Sequence, residues 1–192
     1  MNNISHKKGF TLIEMIVSLG LFTIILFIAT SAFLTVVNTD RKSRVVRISM
    51  DNLNLALENM TRSIKTGTSY YCGSGGEISG VQDCPISSHQ STLSFTEQDG
   101  ITRATYLYNN GRIWQKIGAG VPTPITAPEI YIDRVNFSVQ GSALGPGNGG
   151  ADAAQPYVTI VVQGTVNPGA VNLNTSSTFK IQTVVTQRAY DN

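Results

Sequence analysis

No proline occurs before Pro85, and no charged residue occurs between Met15 and Thr39. The first absence means that nothing in the opening 84 residues obliges a helix to kink or stop. The second leaves 25 consecutive uncharged residues, rich in Ile, Leu, Phe and Val. A helix needs about 20 such residues to cross a bilayer. A core helix of a small soluble domain needs only one apolar stripe, whereas this run is apolar on every side. We read it as a membrane-spanning helix. Cysteine and histidine are also scarce, with two of each and no C-x-x-C spacing, so a structural metal site has little to be built from. No serine stands in a G-x-S-x-G context, and the glycine cluster at 145–150 neither follows a strand nor opens a helix, as a phosphate-cradling loop would. Charged residues make up only 14% of the chain and sum to +2, which gives no support for nucleic-acid binding by bulk charge. No catalytic residue, metal or cofactor is expected.

The residues around the apolar run carry more information. His6, Lys7 and Lys8 precede it, and Asp40, Arg41, Lys42, Arg44 and Arg47 follow it. By the positive-inside rule the downstream cluster argues against export of the C-terminal part, although everything after residue 66 reads as an exported domain. The conflict eases if the cluster lies on a continuing helix beside other chains. No A-x-A cleavage site follows the apolar run, so an ordinary secretory signal fits poorly. Inside the membrane-competent segment stands one carboxylate, Glu14. Leaving such a charge unpaired in an apolar medium costs about 2.5–3.5 kcal/mol or more. The plain reading is that Glu14 sits at headgroup level and is merely tolerated there.

The stretch "KKGFTLIEM", a basic leader followed by Gly9, Phe10 and a helix with Glu14 in the fifth position, resembles the prepilin processing motif of the type IV pilin and type II secretion pseudopilin families. The resemblance is specific over residues 7 to about 35. It implies that a membrane prepilin peptidase cuts between Gly9 and Phe10 and that the new Phe10 amine is methylated. Without Lys7 and Lys8, 12 basic residues would face 12 acidic ones. It further implies that the helix first anchors the subunit among lipids and later packs with other pilin or pseudopilin subunits in a filament, through inner-membrane assembly machinery. On this reading a cationic Phe10 amine, its own or a neighbour's, offsets the cost of Glu14 and rewards one axial register. Many major pilins carry a proline near the position of Ser31, and this sequence does not, which leans toward a minor subunit.

Beyond the apolar run, Val46, Met50, Leu53, Leu57, Met60 and Ile64 are spaced four, three, four, three and four apart. One face is therefore buried, and packing against the protein's own sheet is favoured over a free coiled coil. The spacing predicts one helix from Phe10 to Lys65, about 84 Å long at 1.5 Å per residue, closed by Thr66-Gly67 with Gly67 as a left-handed C′ residue.

Residues 67–90 are rich in Gly and Ser and read as loop. Cys72 and Cys84, with eleven residues between them, read as a disulfide pinning that loop, with free thiols and metal binding as the alternatives. Strands follow at "STLSFTEQ", "TRATYLYNNGRIWQKI", "EIYIDRVNFSVQG", "YVTIVVQGTV" and "STFKIQTVVTQRAY". Asn110-Gly111 marks a type I′ hairpin, and the third stretch is a strand pair or one long strand with a bend. The fold class expected is α+β, a long N-terminal helix laid on a C-terminal antiparallel sheet domain.

The implied division is a leader at 1–9, a membrane and filament-core helix at 10–39, an amphipathic continuation at 40–66 and a β-rich extracytoplasmic domain at 67–192. The strand order is similar to minor pseudopilins of the J type and their pilus counterparts. Asp152 beside the glycine-rich loop, without partner carboxylates nearby, reads as solvated rather than calcium-binding. Asn59, Asn136 and Asn174 each head an N-x-S/T sequon, a motif that also arises by chance. The competing functional class is a membrane-anchored extracytoplasmic binding module whose helix is never cleaved. An anchored hydrolase would have to use His89, the single histidine left after cleavage.

Overall fold

The computed structural model describes residues 9–73, 81–142, 154–166 and 177–188. His6, Lys7 and Lys8, the 145–150 glycine cluster, Asp152 and Asn174 lie outside them. The chain divides into two compact units, Met1–Arg44 and Val45–Asn192.

One element dominates the first unit. Helix α1 runs over Leu12–Thr66, and its apolar N-terminal portion is exposed on all sides. The stretch is long and apolar enough to cross a membrane. Its six Ser and Thr side chains between Met15 and Thr39 all turn back on the helix. Ser18, Thr23, Thr30, Ser31, Thr35 and Thr39 donate to carbonyls three or four residues earlier, at 2.7–3.0 Å. Hydroxyls satisfied in this way need no external partner, which is what an apolar surrounding demands.

In the second unit α1 becomes amphipathic and packs on sheet. Leu53, Leu57, Met60 and Ile64 of the anticipated stripe are buried, with Ser49 and Ala56, while Val46 and Met50 are half-buried. The helix ends at Thr66, where the Tyr70 hydroxyl lies 2.7 Å from the carbonyl oxygens of both Ile64 and Gly67. Ile64 O also accepts the Gly67 N–H at 3.1 Å, so the last turn closes on its own backbone and the Tyr70 hydroxyl adds a second contact there. Gly67 is not left-handed, as the helix-stop pattern suggested; the positive φ falls on Ser69, at 54°. Glycine is required at 67 because the Phe95 ring lies where its Cβ would be.

The strands form two antiparallel sheets rather than one. The first has the order β1(Thr68–Gly73), β2(Thr92–Thr96), β3(Arg103–Asn109), β4(Arg112–Ile117) and β5(Thr123–Pro124). The second has the order β6(Ile130–Gln140), β7(Tyr157–Val166) and β8(Ser177–Thr186). β1 corrects the reading of 67–90 as loop. "TSYYC" carries the β-branched and aromatic residues that favour strand, and the glycines and serines around it masked that signal. The β3–β4 hairpin turns on Asn110 and Gly111, with φ of 48° and 72°, as a type I′ turn requires. Tyr70, Phe95 and Tyr106 stack through the core with ring centroids 6.0 Å apart at each step. Burial raises the Tyr106 phenol pKa above its usual value.

Residues 81–90 join the two sheets. Gln82 N–H donates to the Tyr70 carbonyl on β1, at 3.1 Å. Cys84 and Val139 exchange backbone bonds of 2.9 and 3.1 Å, and Phe137 N–H donates to Gln90 O at 2.8 Å on β6. The Asp83 carboxylate accepts the backbone N–H groups of Gly141 and Ser142, at 3.1 and 2.7 Å. A segment that reads as irregular thus works as an edge strap, because its backbone groups are satisfied by strands on both sides.

Candidate functional site: the start of the long helix

Gly9 and Phe10 precede the helix and are exposed. Open space surrounds the position of a Gly9 Cβ. The Phe10 side chain is 76% exposed. From Gly9 to Thr11 the backbone is non-helical and exposed.

The next residue starts the helix. Glu14 N–H donates to Thr11 Oγ1 at 3.3 Å, and Met15 N–H donates to the Thr11 carbonyl at 3.2 Å. Thr11 is thus the N-cap and Glu14 occupies N3, the positions of a capping box. The T-x-x-E spacing was visible in the sequence as a capping signal, and the reading that concentrated on Glu14 passed over it. The capping arrangement supplies a local reason for both residues. A carboxylate in the first turn also faces the positive end of the helix dipole. Among the described residues the Glu14 carboxylate has no hydrogen bond or ion pair, so its charge is free for a further partner. The structure brings Gly9, Phe10, Thr11 and Glu14 onto one short segment.

The cysteines belong to the other unit. Cys72 at the end of β1 and Cys84 in the strap are joined as a disulfide, with Cα atoms 6.2 Å apart and both residues buried. The bond ties the first sheet to the strap, and backbone pairing with Val139 ties the strap to the second sheet.

His89 is exposed in a left-handed conformation, with φ 49°, at the end of a short 3-10 turn over Ile86–Ser88. Its Nδ1 lies 2.8 Å from the Ser87 carbonyl. No hydrogen bond joins it to Ser91 or Asp133, which line the same cavity. Among the described residues no three His, Cys, Asp or Glu side chains group as metal ligands do. Of the sequons, Asn136 is buried and donates through Nδ2 to Ile86 O at 2.8 Å, so it cannot carry a glycan in this fold, whereas Asn59 is exposed on α1.

The family model of the prokaryotic N-terminal methylation motif matches residues 4–30. Neither the curated proteins nor the solved structures gave a match to the chain. The match supports a type IV pilin-like or pseudopilin subunit and points to a structural role. It implies processing by prepilin peptidase and assembly with other pilin subunits, and it is consistent with membrane anchoring.

Proposed function

We propose that the protein is a minor subunit of a type IV filament system: a pilus, a competence pilus or a secretion pseudopilus. It inserts in the cytoplasmic membrane through α1, with residues 67–192 outside the cytoplasm. It is cut between Gly9 and Phe10, methylated on the Phe10 amine, and drawn into a helical filament on the cell surface or in the periplasm. The observation that carries this reading is the methylation motif across residues 4–30, joined to a helix that begins two residues after the expected cut. The bare apolar surface of α1 supports it, because an exposed surface of that size needs lipid or other helices. The minor role rests on the unbroken helix through Ser31. The order of hairpin and strands supports the likeness to J-type pseudopilins.

The roles divide along the chain. Residues 1–9 are the leader, 10–39 the membrane and filament-core segment, 40–66 the amphipathic continuation and 67–192 the exported domain. Glu14 sets register by pairing with a Phe10 amine.

The second reading, a binding module with an uncleaved anchor, accounts for the same helix and separates at the N-terminus. Mass spectrometry of protein from its native membrane is expected to find methylated Phe10 as the first residue. An intact Met1 followed by Lys7-Lys8 would overturn the filament reading in favour of the anchor.

A further inference from the structure

Strand β6 holds an irregularity that the filament reading does not use. Its register against β7 pairs Ile132 with Gly164 and Arg134 with Gln163, which leaves Asp133 without a partner. Such a bulge puts two successive side chains on the same side of the sheet. Asp133 and Arg134 are indeed both exposed, between buried Ile132 and Val135.

The bulge also falls in a gap along the outer edge of β6. On one side of the gap, Phe137 N–H donates to Gln90 O. On the other, Ile132 N–H donates to Gly111 O in the hairpin turn, also at 2.8 Å. Strand alternation places the Val135 N–H on this same edge, between those two bonds. Neither the strap nor the hairpin reaches it. A cavity of about 460 Å³ opens there, lined by His89, Ser91, Tyr108, Asp133, Arg134 and Val135. That volume suits a small ligand.

The walls are chemically specific. Arg134 offers a planar fork of donors with no protein partner among the described residues. Asp133 offers acceptors. In the neutral tautomer whose Nδ1–H donates to Ser87 O, the His89 Nε2 is an acceptor. The Tyr108 hydroxyl donates to Ile132 O at 3.0 Å, which fixes its ring as a flat wall. Backbone strain of the His89 kind, a non-glycine residue at positive φ, concentrates at ligand sites.

We propose that this cavity binds a small organic carboxylate with hydroxyl groups beside it, an acidic sugar residue. The ligand carboxylate sits on the Arg134 guanidinium and the Val135 N–H, the hydroxyls donate to Asp133 and His89, and the ring lies against Tyr108. A phosphate dianion would place two charges beside Asp133. A neutral sugar would leave Arg134 without a charged partner and forgo a charge-assisted pair. The site lies wholly within the exported domain and stands whether or not the chain enters a filament.

Saturation-transfer NMR on the full-length protein in detergent micelles tests this, with galacturonate as the probe. Saturable binding is expected, at least tenfold tighter than that of galactose. Arg134→Gln and Asp133→Asn should each weaken it at least tenfold. Both side chains are exposed, and circular dichroism of each variant checks that its fold is intact. The proposal is overturned if galacturonate does not bind saturably, if galactose binds equally well, or if Arg134→Gln binds like the parent. It is also overturned if glutamate competes as well as galacturonate, because the site would then recognise an amino acid rather than a sugar.

Discussion

Between Leu12 and Arg44 α1 buries none of its side chains, whereas between Ser49 and Ile64 it buries six. The secondary structure is the same, and the surroundings are not. From Met15 to Thr39 the first stretch is apolar around the whole circumference and closes its hydroxyls on its own backbone. The second keeps one stripe for the sheet and gives the rest to water. Residue Arg62 of that polar face pairs with Glu58 at 3.5 Å, an exposed contact of small energetic weight. The contrast teaches that periodicity, rather than hydrophobic content alone, identifies the solvent a helix is written for. It also separates what each stretch offers: a surface apolar enough to cross a membrane in the first, and a buried stripe that holds the fold in the second.

The sharpest break of this comparison is at its very start. Gly9→Leu is expected to abolish processing. The cleft must take an extended backbone before Phe10, and the open surroundings of Gly9 show no structural need for glycine there. Uncut, membrane-held protein should accumulate, visible as a slower band on a gel. A normally sized product would remove the processing account while leaving the folded domain untouched.

The same substitution made in each stretch separates their roles. Leu53→Ala removes a side chain with no exposed surface and should cost about 2–5 kcal/mol of domain stability, read by denaturant unfolding in micelles. Leu26→Ala removes a side chain that is 47% exposed and does not belong to the core cluster, so the unfolding midpoint should not move. Equal losses at the two sites would show that the stretches do not differ as described.

Those two stretches were also the most legible parts of the sequence, because each repeats its signal over many residues. The hairpin was legible as well, since Asn110-Gly111 is a local signal read by a local structure. The strap at 81–90 was not. Its partners on β6 lie about fifty residues away in sequence, and no periodicity within the strap encodes them. The β6 bulge left a trace that could have been used. Its inward apolar residues fall at 130, 132, 135, 137 and 139, so one step of three interrupts steps of two. At the helix start, Glu14 stood out because a charge in an apolar run is conspicuous. Thr11 did not, because a threonine there offends no pattern.

Within the domain, the disulfide offers a smaller perturbation. Cys72→Ser with Cys84→Ser should lower stability by about 3 kcal/mol, as expected for closing a loop of this length. Reduction of the parent protein should reproduce the loss. Because the strap is also held by backbone bonds to Tyr70, Val139 and Phe137, the β signature in circular dichroism should survive at low temperature. Unchanged stability on reduction would show that those backbone bonds suffice to hold the two sheets. Either result leaves membrane insertion unaffected, because the bond lies entirely within the second unit.

The smallest effect expected is also the one that divides two explanations of Glu14. As the N3 residue of a capped helix, its place is accounted for locally. As a charge with no described partner, it remains available to a Phe10 amine on a neighbouring subunit. Thr11→Ala removes the capping oxygen and should fray the first turn at a cost of about 1 kcal/mol. It leaves the Glu14 charge in place, so filament incorporation should fall only slightly. Glu14→Gln does the reverse. It keeps a side chain suited to the capping box but removes the charge, and Glu14→Ala removes both. If register depends on a charge pair, Glu14→Gln and Glu14→Ala should both insert and be cleaved normally yet enter filaments poorly, because attraction between paired charges in a low dielectric is strong and depends on distance. If the helix cap is what matters, Thr11→Ala and Glu14→Ala should fail together while Glu14→Gln assembles. The measurement is the ratio of filament-pool to membrane-pool protein for all three variants beside the parent. Wild-type ratios in both Glu14 variants would leave the carboxylate with neither role, and would return it to the plain reading of a charge tolerated at the membrane surface.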